Sequence, residues 1–561
     1  MKRLVKFGLV CGLVVGLSLA LAPVLAQGEM SHPSVTGRVV DSQGQPVSGA
    51  KIEVTDGDER ILAETESQED GAFVVDLEQE ADSIVVVVSR AHFREARFPI
   101  DTREMGTLMA GEAIRLPDIT LQRQVTAGFW VASGTFVVIL LLIALERLHN
   151  TTAALLGVGV VFVASFILTP LWPGLFIFDF ERALTYIDFE VIFLVMGMMI
   201  VIGIIEGTGI FQWLTYKAYQ ISRGRVEILV VILMLITSVA SALLDNVTTM
   251  LLMTPITLEI ALALGVNPLS LLLPEVMASN VGGISTLVGT PTNIMIGSFA
   301  GIQFNDFLTN LTPGVVMALI GLVIYVEWLY RKQYRAAAER VSPALAQKLA
   351  EDAQISDPTT LVKSGIVFAG TLALFVMGER FHLVPAVTAM IGATAMLLWV
   401  NLDVESMLRA VDWTTLVFFM ALFMLVGAVR EVGLMSFLAT WMGGLIGGKL
   451  GLGMVILAWM GAFLSMVIAN IPFTAAMLPV VSFLTNTVPG AESKALFYSL
   501  SVGSAMGGNG SLIGASANVV TAGIAERANY PITFVHFLKV GFPAMLVTVA
   551  IGTGWLLIRF L

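Results

Sequence analysis

From Val125 to Leu561 the hydrophobic positions come in long blocks rather than in alternation. The stretches near 127 to 145, 152 to 172, 190 to 207, 363 to 378, 383 to 400 and 414 to 430 are apolar enough and long enough to cross a bilayer as helices. Open strands cannot replace them in lipid, because their backbone N–H and C=O groups would have no partners. Two blocks are interrupted in the same way. "DNVTTMLLMTPIT", residues 245 to 257, and "ANIPFTAAMLPVV", residues 469 to 481, each set an Asn, one or two Thr and a Pro into apolar sequence.

From Thr36 to about Gln122 the texture changes. "TGRVVDSQGQPVSGAKIEVTDG", "GAFVVDL", "SIVVVVSR" and "IRLPDITL" alternate apolar and polar residues between turn residues, which predicts the short strands of a small β-sandwich over 34–122. The first 27 residues carry three basic residues, an apolar run and Val24, Leu25 and Ala26 before the end, which reads as an export signal or a first transmembrane helix. The β-sandwich is therefore expected to be extracytoplasmic.

Composition agrees: 56% of the 561 residues are hydrophobic and 13% are charged, with a mean hydropathy of +0.86. That is a polytopic membrane protein. The net charge of −11 is concentrated in residues 28 to 126, which hold 19 acidic against 9 basic residues. The membrane part is nearly neutral, and nothing supports nucleic-acid binding. The single cysteine, Cys11, leaves no internal disulfide or cysteine metal site.

The membrane part repeats itself. "DFEVIFLVMGMMIVIGIIEGTGIF" from Asp188 aligns with "DWTTLVFFMALFMLVGAVREVGLM" from Asp412 at an offset of 224, which also carries Gly209 onto Gly433, Asn246 onto Asn470 and Pro255 onto Pro479. At an offset of 225, "GGISTLVGTPTN" meets "GGNGSLIGASAN", so that Thr286 meets Ser511 and Asn293 meets Asn518. One register over more than 100 residues marks a duplication, with repeat 1 at 125–340, a cytoplasmic linker at 341–360 and repeat 2 at 361–561.

Basic residues set the orientation. Lys217, Arg223 and Arg225, then Arg331, Lys332, Arg335, Arg340 and Lys348, and later Arg527 and Lys539, fall on one side, read as cytoplasmic. Span counting then delivers Asn246 from the cytoplasmic side and Asn470 from the outer side, the inverted-repeat plan of secondary transporters. Residues 226 to 264 and the matching segment ending in "IANIPFTAAMLPVV" are expected to be re-entrant helical hairpins. The Gly-rich stretches 282 to 293 and 507 to 518 are expected to break the helices that follow, pointing freed backbone groups into a shared cavity.

The motifs "DNVTTMLLMTPIT", "SNVGGISTLVGTPTNIMIG" and "GGNGSLIGASANVVTAGIAER" resemble the ion transporter superfamily, which includes arsenite permeases, sodium/proton antiporters and divalent-anion symporters. Within it the likeness is strongest to the pink-eyed dilution branch, which also places an extramembrane segment before its main helices. The β-module resembles the carboxypeptidase regulatory-like domains through Gly37, Val39, Asp41, Gly44, Pro46, Val47, Ala50, Gly71 and Phe73. The superfamily likeness implies a homodimer, two re-entrant hairpins and elevator-like movement of the hairpin part past a scaffold. Carried over residue by residue, it implies one half-site of Asp245, Asn246, Thr248 and Thr249 with Thr290 and Asn293, and a second of Asn470, Pro472 and Thr474 with Ser516 and Asn518. Amide, hydroxyl and carbonyl oxygens suit a small hard cation such as sodium, while helix N-termini suit an anion. Two departures weaken proton exchange: Thr290 stands where the pattern usually has an acid, and the repeat partner of Asp245 is Ala469.

Structural readings compete at several of these positions. Asp245, Asp188 and Asp412 sit where an N-cap belongs. Glu206 and Arg430 near matching helix ends suit the membrane interface, and Asn246 and Asn470 could be packing amides. Glu275, in the half-helix before the first break, is a candidate proton or cation carrier or else an interfacial side chain. The five histidines, His32, His92, His149, His382 and His536, fall outside the proposed cavity, and there is no metal-spaced pair, phosphate-binding loop or nucleophile set.

The expectation is thus a non-enzymatic, ion-coupled secondary transporter of the bacterial inner membrane, moving a small inorganic ion or anion on a sodium or proton gradient without a cofactor or ATP. Sodium/proton antiport is the alternative within transport. A membrane sensor whose β-domain binds ligand is the alternative outside it.

Overall fold

The computed structural model describes residues 33–57, 59–77, 83–109, 113–145, 147–223, 225–337, 355, 357–400 and 404–561. The leader expected over 1–27, Arg340, Lys348 and most of the linker expected over 341–360 lie outside the described residues. The chain divides into two compact units, Met1–Gln124 and Val125–Leu561.

The first unit holds eight strands: β1 (Ser34–Asp41), β2 (Lys51–Asp56), β3 (Ile61–Glu66), β4 (Ala72–Asp76), β5 (Ile84–Ser89), β6 (Ala96–Pro99), β7 (Ile114–Arg115) and β8 (Ile119–Leu121). They form two four-stranded sheets, β4-β1-β7 with β8 also on β1, and β3-β2-β5-β6. Alternation explains the burial. Ile52 and Val54 of β2 and Val86 and Val88 of β5 face one apolar cluster with Val39, Phe73 and Leu121 of the other sheet. The turn after β1 is held by Asp41, whose Oδ1 accepts from the Gln43 and Gln45 N–H groups at 2.8 and 3.0 Å. Gly71 is required at its position. It has φ +78°, and a Cβ there would lie 2.4 Å from the Val39 carbonyl oxygen.

The second unit is helical. Its first half contains α1 (Ala127–Ala144), α2 (Asn150–Phe162, prolonged by a π turn over Val163–Leu168), α3 (Phe189–Glu206), α4 (Ile210–Ser222), α5 (Val226–Leu243), α6 (Asn246–Leu264), α7 (Leu269–Gly282), α8 (Pro291–Ala300) and α9 (Thr312–Ala337). Its second half contains α10 (Pro358–Met377), α11 (Pro385–Val400), α12 (Trp413–Glu431), α13 (Leu434–Ile446), α14 (Leu450–Val467), α15 (Asn470–Thr487), α16 (Ala495–Gly507), α17 (Ser516–Arg527) and α18 (Phe534–Phe560). Among the described residues nine helices are long and apolar enough to cross a membrane. Helix α10 starts at Pro358 because Asp357 caps it, so the end of the expected linker is already helical.

Element starts reproduce the sequence register. α4 and α13, α5 and α14, and α6 and α15 begin 224 residues apart, whereas α8 and α17 begin 225 apart. The local causes recur too. Asp188 caps α3 by accepting from Val191 N–H, and Asp412 caps α12 by accepting from Thr415 N–H. Gly209 and Gly433, at φ 82° and 93°, let the chain turn into α4 and α13.

Helix packing falls into two groups. In one, α3 packs on α11, α2 on α12 and α10 on α11; in the other, α5 packs on α7, α14 on α16, α9 on α18 and α6 on α17. The α5/α7 and α14/α16 pairs are close because glycines meet backbone. A Cβ on Gly282 would lie 2.4 Å from Ser238 O, and one on Gly507 would lie 2.6 Å from Ala462 Cα. Large apolar side chains such as Trp130, Ile167, Trp172, Ile324, Trp328 and Ile558 are exposed on the helical unit, as a lipid-facing surface requires.

Candidate ion-binding site

Four helix N-termini meet where the chain breaks. α5 turns into α6 at Asp245, and α14 turns into α15 at Ala469; the α7 to α8 and α16 to α17 connections supply the other two, at Thr290 and Ala515. In the first half both N-termini are capped. Asp245 Oδ1 accepts from Val247 and Thr248 N–H at 2.9 Å, its Oδ2 accepts from the Thr248 hydroxyl, and Thr290 accepts from Asn293 N–H at 3.2 Å. In the second half Ala469 and Ala515 offer no side-chain acceptor, so the first N–H groups of α15 and α17 keep their partial positive charge.

Behind these tips runs a chain of amides. Asn246 Nδ2 donates to Asn280 Oδ1 at 2.9 Å, and Asn280 Nδ2 donates to Asn509 Oδ1 at 2.9 Å and Asn518 Oδ1 at 3.0 Å. Asn280 therefore ties a tip of the first half to the broken helix of the second. Asn293 and Asn518 are spent on the breaks themselves: the first donates to Ile284 O and Thr286 O, the second to Gly508 O and Ser511 O. Each satisfies carbonyls that unwinding the helix frees. Ser501 closes the set by donating to Asn293 Oδ1 at 2.6 Å.

A cavity of about 740 Å³ reaches from the layer where α2 begins, α3 ends and α12 begins to these tips. Asp245, Thr248, Ile471 and Ser516 line it at the tips, and His149, Glu206 and Asp412 line it with apolar residues of α3. Its charged lining is acidic, with no Lys or Arg. His149 was expected to lie away from the cavity; it lines it instead, because it caps the start of α2.

Of the residues expected at the site, Asp245, Thr248 and Ser516 face the cavity. Asn246, Thr249, Thr290, Asn293, Asn470, Thr474 and Asn518 are buried. Thr249 and Thr474 donate back to the carbonyls of Asp245 and Asn470, and Pro472 occupies the first turn of α15, where a missing N–H costs nothing. Both Asn246 and Asn470 open their helices rather than sitting inside straight ones. Asp188 and Asp412 do cap, as expected, and Asp188 Oδ2 also accepts from Ser298 of α8 at 2.7 Å, joining the two packing groups. Glu206 and Arg430 are exposed. Glu275 is fully buried, which leaves no room for an interfacial role.

Sequence reasoning missed Asn280 and Asn509, which have no amide at the matching positions, Ala505 and Ile284. It also missed Glu431, a buried carboxylate that accepts from Arg182 Nε at 2.5 Å and from the Tyr186 hydroxyl at 2.6 Å.

Broken helices that bring acidic and hydroxyl groups to one cavity, with nine apolar spans among the described residues, fit the family match, which places the chain among membrane transporters of the ion transporter superfamily. The chain belongs to the CitMHS citrate transporter family, whose model matches residues 140–503. The carboxypeptidase regulatory-like domain model matches residues 34–122. "Uncharacterized transporter Rv2684" of Mycobacterium tuberculosis (strain ATCC 25618 / H37Rv) is 38% identical over 431 residues, covering 77% of this chain and 98% of that protein. The P protein of Homo sapiens is 33% identical over 533 residues, covering 82% of this chain and 62% of its own length. The crystal structure of the Alcanivorax borkumensis YdaH transporter aligns at a TM-score of 0.46 with 15% identity, covering 65% of this chain and 84% of that one.

Proposed function

We propose that the protein is an ion-coupled secondary transporter of the bacterial inner membrane whose cargo is a small anion, with a citrate-like carboxylate the first candidate from the family's description. The two halves lie inverted in the membrane, and α5/α6 and α14/α15 are re-entrant hairpins. The group containing them moves as an elevator past the scaffold of α1 to α3 and α10 to α12, in a homodimer with the β-domain outside the cytoplasm. The observation that carries this reading is the pair of uncapped N-termini of α15 and α17, which bring Ile471 and Ser516 to the wall of one cavity. Backbone N–H groups there are ready donors to a carboxylate.

The acidic lining demands a cation alongside. Asp245 and the Thr248 hydroxyl face the same pocket, and oxygen donors of this kind hold sodium. A cation bound at the first tip screens the anion at the second. The second transport reading, sodium/proton antiport, is favoured by the absence of Lys and Arg from the lining.

Reconstitution decides between them. Proteoliposomes are given radiolabelled citrate under imposed sodium or pH gradients. Gradient-driven uptake that Asn246→Ala and Asn470→Ala abolish supports anion transport. Sodium-dependent proton movement without citrate, lost in Asp245→Asn, supports antiport. No flux of any of these ions leaves the sensor reading and removes the proposal.

A further inference from the structure

One carboxyl group lies outside the cavity and has no role in binding cargo. Glu275 of α7 is 0% exposed, packed between α5 and α6. Thr237 of α5 donates to its Oε1 at 2.8 Å. Thr257 of α6 faces the same carboxyl, yet Glu275 Oε2 and Thr257 Oγ1 are both buried without a hydrogen-bond partner.

Among the described residues no cation pairs with it. The basic groups on the helices packed against α7 are Arg331, Lys332 and Arg335 of α9, Arg527 of α17, and Lys539 and Arg559 of α18, all exposed near helix ends. The other carboxylates on those helices, Glu227, Glu259, Glu327 and Glu526, make no hydrogen bond to Glu275. Burial without a counter-charge favours the neutral acid over the carboxylate. The second half of the chain has removed the group altogether: the positions matching Thr237, Thr257 and Glu275 are Gly461, Val481 and Leu500. The hairpin packing therefore works without the triad, so packing alone does not explain why one copy bears it.

We propose that Glu275, flanked by Thr237 and Thr257, is a proton-binding site that travels with the hairpin group and supplies the coupling proton. This rests on the transport reading above and names its coupling ion. In the loaded state an O–H bond forms on Oε2 with a proton taken from water on one side, and that O–H donates to Thr257 Oγ1. In the unloaded state the proton has gone to water on the other side, and both threonine hydroxyls donate to the carboxylate. Two hydroxyls that can turn either way serve both states, where a lysine or arginine would lock one.

The test compares two fluxes in the same proteoliposomes: uptake of radiolabelled citrate driven by a pH gradient of one unit, and citrate exchange at equal pH. In the wild type the gradient accelerates uptake. Glu275→Gln, which keeps the shape and cannot cycle a proton, is expected to lower the ratio of driven uptake to exchange by about tenfold, the proton activity ratio of one pH unit. Thr257→Val is expected to shift the pH at which that ratio is half-maximal. An unchanged ratio and pH profile in Glu275→Gln overturns the proposal. Infrared difference spectra against Glu275→Gln give a readout that needs no cargo. A carboxylic C=O band that titrates reversibly with pH supports the site; a band that is constant, or absent, at every pH overturns it. Loss of all citrate flux in the wild type with the titrating band intact would sink the cargo reading alone.

Discussion

The two hairpins share a length and a register but not their chemistry. α5/α6 ends on Asp245, which caps its own helix, sends Asn246 into the amide chain and carries Thr237 and Thr257 to Glu275. α14/α15 ends on Ala469, leaves its N–H groups uncapped, and has Gly461, Val481 and Leu500 in place of the acidic triad. The Asn470 side chain makes no hydrogen bond corresponding to that of Asn246. On the proposed reading the duplicated fold keeps one frame and divides the work: the first hairpin offers carboxylate and hydroxyl oxygen to a cation, the second uncapped N–H groups to an anion.

The strongest way to break this comparison is to cut the residue that joins the halves. Asn280→Ala leaves Asn246 Nδ2, Asn509 Oδ1 and Asn518 Oδ1 without their partner. A buried group stranded in this way costs about 1–3 kcal/mol each. Asn280→Ala is expected to lower the melting temperature of the purified protein more than any single substitution at a hairpin tip, and to abolish flux. Asn280→Asp, which keeps the acceptor for Asn246 but sets a carboxyl against the Asn509 and Asn518 amide oxygens, is expected to be at least as destabilising as Asn280→Ala. A melting temperature within error of wild type for Asn280→Ala would mean that the amide chain does not hold the halves together.

A smaller and more discriminating change transplants the cap. Ala469→Asp is expected to satisfy the first N–H groups of α15 and add stability of up to about 1 kcal/mol. The same carboxylate would occupy the donors assigned to the anion, so citrate affinity should fall at least about tenfold, equivalent to about 1.4 kcal/mol. Stability gained with affinity lost separates a ligand-binding N-terminus from one that merely frays. Stability and affinity both unchanged would remove the assigned donors from the site.

These residues also explain what could be read from the sequence. The helix limits follow the two offsets because a duplicated segment must repeat its capping residues and glycines to repeat its shape, as Asp188 with Asp412 and Gly209 with Gly433 do. Symmetry found Asn293 and Asn518, whose task of tying an unwound turn is the same in both halves. It could not find Asn280 or Asn509, because each lies opposite an apolar residue and makes bonds across the two halves that its own half does not announce. The remaining signal was weak: an Asn near a Gly-Gly pair, before it with Val281 between them at Asn280 and directly after the pair at Asn509. Glu431 was hidden for another reason. Its partners Arg182 and Tyr186 are more than 240 residues away in the chain, and nothing local announces the pairing.

The mildest probe lies away from both hairpins, at the start of α10. Asp357 Oδ1 accepts from the N–H groups of Thr359 and Thr360 at 2.9 and 3.1 Å, and Oδ2 accepts from the Thr360 hydroxyl at 2.6 Å. The Thr360 hydroxyl, then its N–H, hold this carboxyl below its ordinary value near 3.8. A depressed value in the folded chain means that the cap is fully effective above the unfolded value and fades as pH falls through the folded one. Hydrogen exchange at Thr359 and Thr360, corrected for its intrinsic pH dependence, should therefore stay protected from neutral pH down to about pH 4 and lose protection below it. Asp357→Ala should exchange at the unprotected rate throughout, with no change in flux, because the cap lies at a helix start remote from the amide chain. A flux defect in Asp357→Ala would instead tie the start of α10 to the movement of the hairpin group, and the division of labour between the hairpins would have to include the scaffold.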